Sequence, residues 1–343
     1  MDVPVDVRQW ADSLRAQIDP LRIRAEVEAL PAPRNRLHAP QAMAQSDQMI
    51  LQAFQQAGWQ AEIQGYTQKD TAGYVDHSGF GQTVYAELTG ANVVAIKEGA
   101  QEHAALVFFG HADTIRDSPG ANDNTASVAA LIELSRLLAP YRFRSSIILA
   151  TTDMEEIGFH GGRALVNQLL SEREVLGAIN FETMAYTSDQ PSSQLIPPGI
   201  NLLYPSQYAR IAEREFRGEF TTLIYNGKAV PLVSALSAGL SFFAGEEASL
   251  ALRDPNDLPL VGGLLRRALP MVRNFSRSDH VPFWEAGKPA IMVTDTANFR
   301  YRHYHKPSDT PEKLDYRRLG DIVGAAAVTA ALIAGIQLSG KES

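Results

Sequence analysis

Acidic and imidazole side chains stand close behind apolar runs at several places in this sequence. Because the chain contains no cysteine, any metal site must be built from oxygen and nitrogen ligands, a set that suits zinc and also manganese or cobalt. The absence of cysteine also excludes a disulfide framework, an iron–sulfur cluster and a cysteine nucleophile. The side chains that could act as ligands or exchange protons are His111, Asp123, Glu155, Glu156, Glu182, His303 and His305.

One carboxylate could bridge two divalent ions in such a set. Asp123 would lie between two ions roughly 3.5–4 Å apart, with His111 and Glu182 completing one ion and Glu156 and His305 the other. Two ions of this kind would clamp a water molecule and lower its pKa towards ~7. The residues therefore suggest hydrolysis by an activated water.

A proton carrier and supporting groups are also present. Glu155 and Glu156 are adjacent in an extended turn and point in different directions, so Glu155 can face a substrate while Glu156 faces the metal. Asp113, two residues beyond His111, could accept the second imidazole N–H and fix its tautomer. Tyr304 could donate a hydrogen bond to the oxyanion of a tetrahedral intermediate, or it could simply pack.

Spacing leaves other assignments open. His303 and His305 are two residues apart and would share one face of an extended segment, so either could be the ligand. Asp279 and His280 are expected to lie behind the ligands or to pack, rather than to bind metal directly. No Gly-x-Ser-x-Gly elbow is present, which disfavours a serine hydrolase.

The apolar runs predict the elements that carry these residues. Runs such as 104–109 and 146–150 are typical of strands buried on both faces, and helical patterns lie between them. This alternation predicts an α/β fold with a mixed, largely parallel central sheet sandwiched between helices, with chemistry at the carboxyl ends of the strands. Residues 89–92 are predicted to form a turn between two short strands.

The 343 residues are expected to form one domain, 1–343, interrupted by an irregular segment over 188–274. That segment is rich in Pro, Gly and Ser, and we interpret it as an insertion or lid-like subdomain. Within it, the leucine-rich stretch 258–269 could form a lid or an oligomer contact, and the oligomeric state stays open.

Taken in order, five motifs resemble those of the M28 family of co-catalytic zinc peptidases. They are His111-x-Asp113, Pro119-Gly-Ala-Asn-Asp123-Asn, Glu155-Glu156-x-Gly158, Asn180-Phe-Glu182 and Tyr304-His305-x-Pro-x-Asp309-Thr310. The likeness continues through Ser278-Asp279-His280 and covers about residues 33–338.

The resemblance implies a zinc-exopeptidase fold, related to phosphorylase/hydrolase-like folds, and two zinc ions. It also implies that Glu155 is the general acid/base and that the metal ligands are His111, Asp123, Glu156, Glu182 and His305. Between His303 and His305 the resemblance selects His305. Glu182 stands where many members of the family have Asp.

The function implied is that of a metal-dependent exopeptidase, most simply an aminopeptidase, acting on a peptide or peptide-like substrate. A carboxypeptidase, a glutaminyl-cyclase-like acyl transferase and a non-catalytic binding protein on the same fold are the alternatives. A free α-amino group would need an acidic or carbonyl-rich pocket end, whereas a C-terminal carboxylate would need a cation such as Arg300 or Arg302.

Charge and hydropathy limit the partners and the location. The formal net charge is −8 and no basic cluster is present, so a nucleic-acid partner is not expected. The apolar run 322–338 is shorter than the roughly 20 residues of a membrane span and is expected to be a buried helix. The N-terminus carries no apolar leader, so a cytoplasmic location is expected, or a secreted or periplasmic one had a signal peptide been removed.

Overall fold

A computed structural model describes residues 3–75, 81–257, 262 and 269–338. Among these residues, helices α1 to α10 span Val5–Arg15, Pro20–Ala29, Pro40–Gln56, Ala126–Leu138, His160–Glu172, Ile200–Leu203, Pro205–Glu213, Val230–Ala244, His280–Glu285 and Tyr316–Ala330. Strands β1 to β10 span Gln60–Tyr74, Gln82–Lys97, Gln101–His111, Arg142–Phe143, Ser145–Thr152, Glu174–Phe181, Thr221–Tyr225, Ser249–Arg253, Ala290–Thr294 and Ile336–Gln337.

One mixed sheet organises the fold. Its strand order is β1-β2-β5-β3-β6-β9-β7-β8. The central strands β5, β3, β6 and β9 are mutually parallel, whereas β2 joins β5 and β7 joins β9 in antiparallel pairs. The prediction of an α/β fold with a mixed, largely parallel sheet is confirmed. The parallel strands bring their carboxyl ends to one edge, where the predicted site residues follow them.

Side chains on the central strands pack on both faces of the sheet. Leu106 and Phe108 of β3 belong to the core that includes α3, α4 and α10, while Val107 and Phe109 point to the core formed with α5 and α9. All four are fully buried. This two-sided burial explains why the strand reads as a continuous apolar run instead of an alternating one.

The predicted turn at residues 89–92 is wrong. Strand β2 continues through it, and Gly90 lies opposite Tyr66 in a long antiparallel ribbon with β1. Gly90 is nevertheless required there, because a Cβ at this position would lie 2.5 Å from the Tyr66 ring. A glycine that admits a cross-strand aromatic ring was thus mistaken for a turn glycine.

The structure reduces the part of residues 188–274 that could form a lid-like insertion, and that interpretation stays a proposal. Strands β7 and β8 of this segment belong to the central sheet, and α8 packs against α10. Only the remaining parts, chiefly 188–220, lie outside the sheet and its helix layer. Residues 258–261 and 263–268, which include most of the leucine-rich stretch, lie outside the described residues.

Two helical stretches have the length and composition of a membrane span. Gly227–Ala244 is 44% buried inside the protein and Tyr316–Gly335 is 72% buried. The second contains α10, whose residues pack in the main core beside α4 and α8, in agreement with the predicted buried helix. Core helices of this kind meet the same criteria of length and composition.

Helices α8 and α10 approach closely at Gly239, and this contact generates a stability prediction. A Cβ at Gly239 would lie 2.8 Å from Cα and 2.9 Å from the carbonyl oxygen of Ala325. Overpacking costs about 1–3 kcal/mol and the gain in helix propensity is ~1 kcal/mol, so Gly239→Ala should destabilise the protein by up to about 2 kcal/mol. Chemical denaturation would measure this. Ser237→Ala, on a half-buried position of the same helix, should change stability little, and equal stability of the two variants would contradict the prediction.

Candidate metal centre

The ends of three neighbouring strands supply most of the centre. His111 is the last residue of β3, Glu155 and Glu156 follow β5, and Glu182 follows β6 directly. Because β5, β3 and β6 are adjacent and parallel, these side chains meet at one edge of the sheet. All are buried, with Glu156 and Glu182 each only 7% exposed.

Asp123 stands between two groups of ligands. Its Oδ1 lies 3.2 Å from His111 Nε2, and its Oδ2 lies 3.0 Å from His305 Nε2. Glu182 Oε2 approaches His111 Nε2 at 3.4 Å, and Glu156 Oε2 approaches His305 Nε2 at 3.3 Å. The structure therefore brings together all five predicted ligands in two three-residue groups that share Asp123, and a third group, His111, Glu155 and Glu156, places the predicted proton carrier against the same side chains.

The inward-facing atoms of the centre lack ordinary partners. Among the described residues, His111 Nε2, Asp123 Oδ2, Glu156 Oε1 and His305 Nε2 are buried and have no hydrogen bond. Buried polar atoms are normally satisfied, and these converge on shared space with the geometry of ligands. The donor set of imidazole nitrogens and carboxylate oxygens fits divalent cations.

A tight turn fixes Asp123. Gly120 precedes it with φ 65°, and a Cβ there would lie 2.4 Å from the Asp123 carbonyl oxygen. The carboxylate of Asp309 accepts the backbone N–H groups of Asn122 and Asp123, at 2.9 and 3.1 Å. Asn122 in turn donates to Asp295 at 2.8 Å. The peptide bond that follows Asp123 is cis.

Asp113 acts differently from the prediction. Its backbone carbonyl, at 2.9 Å, is the closer acceptor for Nδ1 of His111, whereas the Oδ1 atom is 3.5 Å away. The carboxylate instead accepts the backbone N–H groups of Glu155 and Glu156, at 3.1 and 3.3 Å. The backbone carbonyl of Asp113, and not its carboxylate, faces the His111 ring because the chain turns directly after the strand ends at His111.

A serine that was not singled out orients Glu182. Ser278 Oγ donates to Glu182 Oε2 at 2.7 Å and accepts from Asn180 Nδ2 at 2.7 Å. Its neighbour Asp279 is buried and accepts from the Thr152 hydroxyl. His280 contacts the Phe275 carbonyl oxygen at 2.8 Å, away from the ligands. The only sequence signal for Ser278 was its place beside Asp279 and His280.

The structure separates the two candidate histidines. His303 Nδ1 lies 2.9 Å from the Ser308 hydroxyl, outside the ligand groups, whereas His305 points at Asp123 and Glu156. The ring of Tyr304 stacks on His305, with centroids 3.9 Å apart. Spacing could not separate the two histidines, because the chain at His305 has a left-handed backbone instead of an extended one, with φ 57°.

Left-handed backbone recurs beside the ligands. Met154, directly before Glu155, has φ 57°, and Thr183, directly after Glu182, has φ 44°. Such conformations cost of order 1–3 kcal/mol for residues other than glycine and persist where surrounding structure enforces them. With His305, three of the ten non-glycine residues of this kind among the described residues therefore lie at the metal centre, where the surrounding structure holds them.

An apolar cavity of about 100 Å³ adjoins the centre. Glu182 and Tyr304 border it on the side of the ligands, and its walls include Ile224, Leu250 and Leu252 from β7 and β8. Among the described residues that line it, Arg277 is the one cation. A side chain placed in this cavity would therefore lie next to the ligand groups.

Family comparison identifies the scaffold. The sequence profile of Peptidase family M28 matches residues 92–221 and 262–330 of the chain, which is more than half of its length. The chain belongs to peptidase family M28. The predicted family is thus confirmed.

Relatives and solved structures agree with this assignment. The M28 chain is similar to the protein YfbL of Escherichia coli (29% identity; 62% of this chain, 59% of that one) and to a probable zinc metalloprotease of Leptosphaeria maculans (30% identity; 68% and 52%). It therefore spans between half and three fifths of the length of these relatives.

The fold of the chain is similar to that of two solved structures. One is an aminopeptidase from Aneurinibacillus sp. strain AM-1 (TM-score 0.66, 14% identity; 94% of this chain and 96% of that chain covered). The other is a glutaminyl cyclase from Fimbriiglobus ruber (TM-score 0.58, 16% identity; 92% of this chain and 95% of that chain covered).

The predicted ligands of the M28 chain differ in how tightly they hold protons. Burial raises the pKa of Glu156 to about 7, although His305 opposes this. Burial would lower the pKa of His305, but Glu156 and Asp123 raise it to about 10. Burial would also raise the pKa of Asp123, but the two imidazoles hold it well below its ordinary value.

Cation binding should therefore release protons. Ligation needs neutral imidazoles and ionised carboxylates, so a cation must displace the protons of His305 and His111. Affinity should therefore fall as the pH falls below about 10, the pKa of His305, and more steeply below about 7, the pKa of Glu156. Titration calorimetry in buffers of different ionisation enthalpy would measure the release. His305→Gln should reduce both the release and the affinity, while His303→Gln should leave both unchanged. A larger effect at His303 would contradict the assignment.

Proposed function

We propose that this chain is a zinc-dependent aminopeptidase with two metal ions. The proposal rests chiefly on Asp123, whose two carboxylate oxygens each face one imidazole within 3.2 Å and thus join two ligand groups. A carboxylate so placed can bridge two ions, His111 and Glu182 serving one and Glu156 and His305 the other. The names of the relatives, a zinc metalloprotease and an aminopeptidase among them, support zinc and peptide hydrolysis.

When bound, the ions would supply Lewis-acid chemistry, polarising a carbonyl group and lowering the pKa of a water molecule. Glu155 is proposed to take the proton of the attacking water and pass it to the leaving amine. Its Oε2 lies 4.0 Å from His111 Nε2, beyond the ligand carboxylates at 3.2 and 3.4 Å, and burial raises its pKa well above the ordinary value. Tyr304, which borders the cavity, is the candidate donor to the carbonyl oxygen.

The two arginines predicted as partners for a C-terminal carboxylate are not placed to bind one beside the metal centre, which favours a free N-terminus. Arg300, one predicted partner for a C-terminal carboxylate, is buried and donates to Gln194 and to the Phe220 carbonyl oxygen. Arg302, the other, is exposed and is not among the described residues that line the cavity.

Two alternatives each have a specific observation in their favour. Arg277 lines the cavity and donates to Asn298, and it is the cation that a carboxypeptidase would use for a C-terminal carboxylate. Similarity of fold to a glutaminyl cyclase favours intramolecular acyl transfer. The shared Asp123 and the complete set of two ligand groups support hydrolysis over cyclisation.

The first prediction of this proposal concerns the terminus and the proton carrier. Short peptides with a free N-terminus should release their first residue only after zinc is restored to stripped protein, and N-acetylation should abolish cleavage. Glu155→Gln should lower kcat by roughly 10²–10⁴-fold, because the proton carrier is lost, while the bound zinc measured by mass spectrometry stays the same.

Controls separate the alternatives. Glu285→Gln, which alters an exposed ion pair with Arg163, should leave kcat unchanged. Cleavage that requires a free C-terminus would indicate a carboxypeptidase, and loss of ammonia from peptides that begin with glutamine would indicate a cyclase. Stripped protein that takes up no zinc would contradict the catalytic proposal altogether.

The second prediction concerns the substrate side chain. Because aliphatic side chains form the cavity wall, an N-terminal Leu or Met should be preferred over Asp or Lys. Leu252→Trp should fill part of the space and shift the preference in kcat/KM from Leu towards Ala by roughly tenfold, the scale expected for one to two methylenes. Leu202→Trp, at a position 77% exposed, is the matched control. An unchanged Leu/Ala ratio in Leu252→Trp would show that the cavity does not hold the substrate side chain.

A further inference from the structure

The chain between α2 and α3 contacts the loops that carry the metal centre. Arg34 exchanges two hydrogen bonds with Thr114, its backbone N–H donating to Oγ1 at 3.1 Å and its carbonyl accepting the Thr114 N–H at 2.8 Å. Its guanidinium donates to Thr125 Oγ1 at 2.9 Å. Arg36 Nε donates to Asp153 Oδ2 at 2.6 Å. Thr114 follows Asp113, Thr125 closes the Asp123 turn, and Asp153 precedes the two adjacent glutamates.

This segment lies outside both ranges that match the M28 profile. The family match therefore assigns nothing to it. The segment nonetheless connects the first helices to the loops that carry the predicted ligands. Two of its positively charged side chains, those of Arg34 and Arg36, point into the protein. Arg34 is fully buried, and the side chain of Arg36 is only 18% exposed.

Arg36 bridges two buried carboxylates. Its guanidinium donates to Asp47 on α3 and to Asp153, whose side chains are 5% and 0% exposed. Besides Arg36, the Asp153 carboxylate accepts the backbone N–H of Ala91, at 3.2 Å, while Oδ1 has no hydrogen bond among the described residues. Arg36 is thus the cation that balances a fully buried carboxylate two residues before Glu155.

The backbone of Asp153 is held from three sides. Its N–H donates to Asn92 Oδ1 at 3.1 Å, and its carbonyl oxygen accepts from the Tyr66 hydroxyl at 3.1 Å and from the Gly161 N–H at 2.8 Å. Met154, the next residue, has the left-handed backbone described above. The direction of the chain into Glu155 and Glu156 therefore depends on where Asp153 is anchored.

We propose that Arg36 is a positioning residue for the metal centre, acting through Asp153 to fix the turn that carries Glu155 and Glu156. Without the guanidinium, two buried carboxylates lose their counter-charge, and the Asp153 carboxylate is left close to that of Asp113, which holds the same turn. A displacement of this turn by about 1 Å would be enough to reduce catalysis 10²-fold. The catalytic part of this inference rests on the proposed function, whereas the metal-binding part does not.

The test compares variants by zinc affinity and by kinetics. Zinc affinity would be measured by competition with a chromogenic chelator, and kcat and KM with a peptide at saturating zinc. Arg36→Met should weaken zinc binding and lower kcat by roughly 10–100-fold each, the range for residues that orient metal ligands, with little change in KM. Arg36→Lys keeps the charge but replaces the two guanidinium nitrogens that reach Asp153 and Asp47 by a single nitrogen, so it should recover part of the loss.

Two further variants separate positioning from stability. Arg22→Met removes a comparable ion pair, with the fully buried Glu133 between α2 and α4, and should lower the Tm without affecting zinc affinity or kcat. Asp153→Asn removes one of the two carboxylates that Arg36 balances and should partly restore zinc affinity in the Arg36→Met background, because the unpaired charge beside Glu155 is then gone and only that of Asp47, on α3, is left without Arg36.

The outcomes are distinct. If Arg36→Met only lowers the Tm, as Arg22→Met does, the proposal is wrong. If Arg36→Met does not fold, Arg36→Lys decides the question. Reduced zinc affinity in Arg36→Lys, with a fold unchanged by circular dichroism, would support the proposal, and unchanged zinc affinity would contradict it. If the wild type binds zinc but cleaves no peptide, the proposed function is in error, and the zinc affinities of the variants still decide the role of Arg36.

Discussion

Like charges buried together at one edge of the sheet are the constraint on which the structure depends. Asp123, Glu155, Glu156 and Glu182 are each at most 7% exposed, and the imidazoles of His111 and His305 offset only part of their charge. Carboxylates this close disfavour one another's ionised form unless cations lie between them. The arrangement is therefore costly in the free protein and becomes favourable when divalent cations bind, so folding and metal binding are coupled.

A layer of polar residues resists the relaxation that this repulsion would cause. Asp309 holds the turn of Asp123 through backbone N–H groups, Asp113 does the same for the two adjacent glutamates, and Ser278 directs Glu182. Arg36 supplies positive charge to Asp153, two residues before Glu155. Left-handed backbone beside the ligands persists because these contacts leave the turns no relaxed alternative.

Local patterns in the sequence were enough to locate the buried parallel strands, since such a strand is a continuous apolar run and its end is where chemistry collects. The choice of candidate ligands at those ends also needed the resemblance of the ordered motifs to the family. Features set by distant contacts could not be read in this way. Gly90 imitates a turn because the Tyr66 ring that requires it lies on another strand. Arg36 and Asp153 are separated by 117 residues, and no local signal connects them. Strands β7 and β8 were missed because their short apolar stretches lie within an irregular, Gly- and Pro-rich segment.

The topology separates the groups that bind metal from those that surround a substrate. Four of the five ligands come from residues 111–182 on the parallel half of the sheet, whereas much of the cavity wall comes from β7, β8 and the helices before them. The direction of the strands changes between β9 and β7, and the cavity lies on that side of the ligands. A scaffold arranged in this way can alter its cavity without moving a ligand, because no residue of β7 or β8 holds the turns at the metal centre. Such a division allows one metal-binding scaffold to accept different substrates. Differences in substrate preference should therefore arise within residues 188–274.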